Sequence, residues 1–478
     1  MSARDQADAL RRGELGAVEL VEHALRRVEE RDAGLGAFVT VTAERALEQA
    51  RGADKLLATR AADLPPFLGV PTAIKDLAMT AGVPTSFGSP VYAGFVPDVD
   101  DDSARLLRAA GTISLGKTST PEFGLPPYTE PAGRPPAVTP WDRTRLAGGS
   151  SGGAGTATAA GLVAFAHGTD GGGSIRIPAA ACGLVGLKTS RGLVSRGPTG
   201  GDPLGMSVSG PLARTVDDAA AMLDALAVPV PGEPYPLLAP RPETFLAAAL
   251  RATPRRLRIG RYRVPPVADA LLDPACVDAY ERTTALLTGL GHEVVEFAPG
   301  LDEAFLPAFE TLWAVLAHSH PVPPEAEPLL TPLTRWWRGR GAAISGPEYL
   351  AATQSAVAVT RRVVGAQAAA GVDVVLTPML AQLPRPVGWF TAGGDPAEDF
   401  ARQKRFTPFT ATYNITGQPA LSLPVTFARP VDGPADGPEL PVSVQLVGRA
   451  GDDALLLELG AQLDAAAGRD TTRRPPMW

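Results

Sequence analysis

Two glycine-serine runs decide how this chain reads: Gly148-Gly-Ser-Ser-Gly-Gly153, and then Gly168-Thr-Asp-Gly-Gly-Gly-Ser-Ile-Arg-Ile-Pro178. Between them a small-residue helix is expected around 154–162 and a short strand near 164–168, so the two loops flank one helix and one strand. Upstream, Leu68-Gly-Val-Pro-Thr-Ala-Ile-Lys-Asp76 is a short apolar run that suits a strand carrying Lys75 at its end. A helix over 103–110 then precedes a buried strand over 112–116. Near the start, Val18, Leu20, Val21, Ala24, Leu25 and Val28 share one helical face, and a second helix is expected over 42–58. Downstream the spacing predicts strands at 257–260, 293–297 and 372–377 and a helix over 276–290. The alternation predicts an α/β fold. Pro- and Trp-rich stretches at 321–340 and 383–396 read as long insertions.

Composition narrows the function classes. The chain has 478 residues, 45% apolar and 20% charged, which excludes a disordered or fibrous protein. With 44 basic and 51 acidic side chains the net charge is −7 and no like-charge run stands out, so a nucleic-acid partner is not expected. The two cysteines, Cys182 and Cys276, are far apart and complete no metal or redox motif. No apolar stretch is long enough for a membrane span and the start lacks a leader-like apolar segment, so a cytoplasmic protein without a membrane partner is expected.

A glycine loop at a helix start often cradles phosphate, but neither run has the Lys-Ser/Thr of a P-loop or the spacing of a dinucleotide site. Gly148-Gly-Ser-Ser-Gly152 formally matches the nucleophile elbow of α/β-hydrolases, yet His167, His292, His318 and His320 all have structural readings instead. Acyl transfer fits better. Three consecutive glycines before Ser174 can aim backbone N–H groups at a point beside its hydroxyl, as an oxyanion hole requires. A serine nucleophile needs a base, and a buried lysine can serve if its amine is neutral. Lys75 is the best candidate, with Ser150 as a relay. Bringing a lysine from about 10.4 to near 7 costs about 4 to 5 kcal/mol. Lys117 and Lys188 rank lower because their neighbours look polar enough to keep an ammonium charged.

These two runs, with Cys182-Gly-Leu-Val-Gly-Leu-Lys188, resemble the signature of the amidase signature family. The likeness extends to Gly69–Asp76, Gly116–Glu122, Ser209–Asp217, Asn414–Pro424 and Val444–Gly448, and covers about residues 17–463. It implies a single domain over 1–478, a central mixed twisted β-sheet covered by helices on both faces, and variable substrate-shaping insertions near 300–345 and 380–400. It implies an amide hydrolase that needs no cofactor or metal. Ser174 would be the acyl-enzyme nucleophile, Ser150 a bridging serine with a cis peptide bond, and Lys75 the base. Backbone N–H groups of Gly171, Gly172, Gly173 and Ser174 would form the oxyanion hole, although glycine at 171 departs from the commoner Thr or Ile.

Around this core, Asp170 and Arg176 are expected to pair and brace the loop, with Ser151 beside them. Cys182 reads as a buried packing residue. Leu125, Tyr128 and Glu130 correspond to a segment that lines the acyl pocket in the resembling family, and Trp313, Trp336, Trp337 and Trp389 are candidates for shaping a hydrophobic cleft. The A subunit of the tRNA-dependent amidotransferase shares the pattern, but Arg176-Ile-Pro178 and the stretch over 191–200 depart from it and favour a free-standing hydrolase of a small amide. Residues 120–131 are similar to the branch containing nylon-oligomer cyclic amide hydrolases. Acyl transfer to an amine, cyclisation, non-catalytic amide binding and a homodimer remain open at this level.

Overall fold

The computed structural model describes residues 1–198, 202, 204–237, 243–251, 255–266, 269–468, 470 and 473–478; Thr199 and Gly200, at the end of the stretch contrasted with the amidotransferase subunit, lie outside the described residues. Near the N-terminus, strands β1 (Phe38–Val41), β2 (Pro71–Lys75) and β3 (Ile113–Thr118) form a small sheet in the order β1-β3-β2. A hairpin of β4 (Val138–Thr139) and β5 (Asp142–Leu146) follows. Eight further strands make the main sheet: β6 (Phe165–Asp170), β7 (Val185–Lys188), β8 (Val208–Ala213), β9 (Arg258–Arg261), β10 (Glu293–Glu296), β11 (Val374–Pro378), β12 (Ala420–Ala428) and β13 (Leu440–Val447). Their order is β10-β9-β11-β13-β12-β7-β8-β6. Only the β9 pairings with β10 and β11 are parallel, so the sheet is mixed, as expected of this fold.

The small sheet meets the main one along β2 and β6, where the Thr72 hydroxyl donates to the Phe165 carbonyl at 3.1 Å. That contact brings the end of β2, and with it Lys75, beside the end of β6. The helix Gly152–Ala159 lies between the sheets and is buried at every position, so its residues must be small. A side chain at Gly153 would meet the Ser119 amide nitrogen at 2.3 Å and the Ala37 carbonyl oxygen at 2.4 Å. Glycine at this position therefore sets how closely the helix approaches β1 and β3.

The stretch expected as one insertion over 321–340 is mostly helical, with a 3-10 turn Pro324–Leu329 and the helix Pro332–Ala342. Proline at the first turn of that helix is compatible with it because the missing N–H has no partner there anyway. Thr331 caps it. Among the described residues no helix is long and apolar enough to cross a membrane, and no cluster of His, Cys, Asp and Glu is arranged to hold a metal.

Candidate active site

Lys75 ends β2 with its side chain fully buried. Its Nζ lies 2.8 Å from Ser150 Oγ and 2.9 Å from Thr169 Oγ1. Burial pushes the Lys75 pKa well below the usual lysine value, the nearby Arg196 charge adds to this, and Asp170 opposes it. An amine held neutral in contact with a hydroxyl can take its proton. The peptide bond between Gly149 and Ser150 is cis. Sequence reasoning gives Thr169 no role, although it directly precedes Asp170 in the loop.

Ser174 sits at the mouth of the next loop, 7% exposed. Its carbonyl accepts from the Ser151 amide at 3.1 Å, which ties the two glycine-serine runs together. The Ser151 hydroxyl sits against Thr169, donating to its carbonyl at 3.2 Å and accepting from its amide at 3.3 Å. Among the described residues no hydrogen bond engages Ser174 Oγ, so it is free to face the cavity that it lines.

The oxyanion-hole expectation needs one correction. Gly173 adopts φ +133° and its N–H donates to Asp170 Oδ1 at 2.8 Å, so that donor is already engaged within the loop. The Ile175 amide is likewise taken by Asp170, at 3.2 Å. Gly171, Gly172 and Ser174 keep amides with no acceptor among the described residues. Thr410 Oγ1 donates to the Gly172 carbonyl at 2.5 Å and pins the loop from outside.

Asp170 and Arg176 form a fully buried two-pronged pair, with Nε to Oδ2 and Nη2 to Oδ1 both at 2.9 Å. Arg176 Nη1 also donates to Gln445 Oε1 at 2.7 Å, and Nη2 to Asn414 Oδ1 at 2.7 Å. Asn414 Nδ2 in turn donates to the Asp170 carboxylate and carbonyl, both at 2.8 Å. Burial alone would raise the Asp170 pKa; the Arg176 charge and its hydrogen bonds outweigh that and hold it well below the usual carboxylate range. Asn414 and Gln445 belong to stretches that carry the resemblance, but composition and spacing give them no role.

The three candidate lysines differ in their partners and not in their burial. Lys117 and Lys188 are as buried as Lys75. Burial lowers the Lys117 pKa to about 8 against the pull of Asp76, and lowers that of Lys188 to about 7, helped by the Arg176 charge. Lys117 is spent on Asp76 at 3.5 Å, Thr85 Oγ1 and the Ala78 carbonyl, and Lys188 on the Thr189 carbonyl. Contact with Ser150, rather than polarity of the neighbours, distinguishes Lys75. His167 lies inside β6, buried, its pKa lowered by burial to about 3. His292 bridges the Leu257 amide and Gln462. No histidine ring bonds Ser150 or Ser174 among the described residues, which removes the nucleophile-elbow reading. Cys182 packs in the core, where burial pushes its thiol up to about 12.

Of the expected pocket residues, Leu125 lines the cavity at Ser174. Tyr128 and Glu130 do not. Tyr128 is buried against Phe390, ring centroids 4.6 Å apart, with its hydroxyl donating to Asp399 at 2.6 Å. Glu130 accepts from the Gly388 amide at 2.7 Å. Both are turned into packing by the 388–399 region, which sequence spacing does not place. Trp313 lines the cavity, stacked on Phe309; Trp336 and Trp337 pack behind it with Phe400, and Trp389 against Phe390.

Comparison with known proteins agrees with this architecture. The amidase family profile matches residues 19–457. A putative amidase of Synechocystis sp. is 34% identical over 480 residues, covering 100% of this chain and 90% of that one. The 6-aminohexanoate-cyclic-dimer hydrolase of Paenarthrobacter ureafaciens is 33% identical over 488 residues, covering 97% and 94%. A solved structure of 6-aminohexanoate cyclic dimer hydrolase with substrate superposes with a TM-score of 0.90 at 30% identity, over 100% of this chain and 99% of that one. Family profile, sequence identity and overall superposition thus agree, and this chain belongs to the amidase family, hydrolases of amide carbon–nitrogen bonds.

Proposed function

We propose that the chain hydrolyses a small linear or cyclic carboxamide through an acyl-enzyme on Ser174, with Ser150 and Lys75 as proton relay. The observation that carries this is the fully buried Lys75 amine, its pKa pushed well down, 2.8 Å from Ser150 Oγ. Ser174 Oγ attacks the amide carbon while its proton moves to Ser150 Oγ and that of Ser150 to the neutral Lys75 amine. The tetrahedral oxyanion is met by the free amides of Gly171, Gly172 and Ser174, which need little reorganisation because the loop is already held by Asp170 and Thr410. The proton returns to the leaving amine as the carbon–nitrogen bond breaks. Water then attacks the ester by the reverse relay, releasing the acid.

The apolar walls beside Ser174 favour an uncharged acyl group, in line with the 6-aminohexanoate cyclic dimer after which the similar hydrolase is named. The test is peptide mapping by mass spectrometry after a fluorophosphonate probe. A single adduct on Ser174, absent in Ser174→Ala and strongly slowed in Lys75→Ala, is the expected result. An adduct on Ser150 instead, or full labelling of Lys75→Ala, would sink the assignment.

A further inference from the structure

The cavity beside Ser174 is walled by Phe309, Trp313 and Phe400, and two polar side chains of the helix Pro396–Phe406, Gln403 and Lys404, reach it. Gln403 is only 6% exposed. Its Nε2 donates to Asp399 Oδ1 at 2.8 Å, and Asp399 Oδ2 accepts from the Tyr128 hydroxyl at 2.6 Å. Because an ionised carboxylate only accepts, this chain of bonds turns the Gln403 amino group to Asp399 and its carbonyl oxygen away from it. No described residue donates to that oxygen. The oxygen is accessible to solvent at the cavity that Gln403 lines, so an acyl arm that displaces solvent there without supplying a donor leaves it unpaired, which is costly. Lys404 pairs with Glu310 at 3.1 Å and lies over the Phe400 ring, so the same wall carries an ammonium that repels a cationic guest.

We infer that Gln403 is a specificity-determining residue whose Oε1 accepts a hydrogen bond from a neutral N–H or O–H group borne on an otherwise apolar acyl arm. The inference rests on the reading of Ser174 as the acylated nucleophile. It narrows the substrate class to amides of acids with a second, uncharged donor, such as a hydroxy acid or an acid carrying another amide. A purely aliphatic acyl group fills the aromatic walls but leaves Oε1 unpaired, and a free amine meets Lys404.

Activated esters test this whatever the natural leaving amine is. The burst of nitrophenolate is followed with 4-nitrophenyl 6-hydroxyhexanoate and 4-nitrophenyl heptanoate, which differ by a hydroxyl in place of a methyl. The wild type is expected to be acylated about tenfold faster by the hydroxy ester, each rate being referred to uncatalysed hydrolysis. In Gln403→Met the preference should reverse, a change of ratio that a merely structural role, slowing both esters alike, would not produce. A wild-type preference for heptanoate, which needs no variant to fold, would overturn the inference. So would an unchanged preference in Gln403→Met. Absence of both bursts and of any acyl adduct on Ser174 would instead overturn the nucleophile assignment, and this inference with it.

Discussion

The proposed proton relay and the proposed acyl cavity meet at Ser174 but are built in opposite ways. On the relay side, Lys75, Ser150, Ser151, Thr169, Asp170 and Arg176 come from strand ends and glycine loops, all buried, with each group bonded to another. On the cavity side, Phe309, Trp313, Phe400 and Gln403 project from helices, and a single side-chain network fixes the one buried amide. Chemistry that must tolerate no displacement is held by backbone and by paired charges. The cavity is left to side chains carried on helices, although the Phe309 and Trp313 rings reach the loop at Gly171 and Gly172.

The predictions that would break or sharpen this contrast run from the relay outward. Ser174→Ala and Lys75→Ala should each lower kcat on the order of a thousandfold or more with an unchanged circular dichroism spectrum. Equal activity would dissolve the relay side altogether. Arg176→Met should destabilise the fold by about 3 to 5 kcal/mol in denaturant titration, because it strands a buried carboxylate. The sign with pH follows from the lowered Asp170 pKa: the wild type holds this contribution above the ordinary carboxylate range and loses it as pH falls through the lowered value. The deficit of Arg176→Met should therefore be full near neutral pH and shrink in acid; a constant deficit would mean the pair does not carry it.

On the cavity side the effects are smaller. Trp313→Ala should lower kcat/KM for amides of long apolar acids by about tenfold to a hundredfold and leave acetamide nearly unaffected. Equal loss for both would show that the tryptophan supports the loop rather than the acyl arm. Tyr128→Phe removes one hydrogen bond to Asp399 and should cost about 1 kcal/mol of stability, read as a small fall in Tm. A loss as large as that of Arg176→Met would erase the distinction between the two regions.

The same contrast explains what is legible in the sequence. The relay is legible because glycine runs, a small-residue helix and an apolar strand ending in Lys75 are local patterns with few physical readings. Its errors arise where neighbours in sequence stand in for neighbours in space. Lys117 and Lys188 sit in polar-looking text yet are buried, since Thr85, Thr189 and nearby carbonyls satisfy them. Gly173 reads like its two neighbours, but its amide belongs to Asp170. The cavity is nearly illegible. Gln403 lies in no motif of the sequence, and its amide takes its direction from Asp399, itself held by Tyr128 from far away in the chain. Tyr128 and Glu130 show the reverse failure, being assigned to the cavity from a motif and found packed behind it.

The central claim is that a neutral Lys75 draws the proton from Ser174 through Ser150. The most direct measurement is the rate of Ser174 acylation by a 4-nitrophenyl ester between about pH 5 and about pH 9 in the wild type and in Lys75→Ala. Because burial lowers the Lys75 pKa, the rate should rise with loss of a single proton at a pH well below that of an ordinary lysine, and Lys75→Ala should be slow with that limb gone. A flat wild-type profile, or an acid limb that survives in Lys75→Ala, would contradict the account.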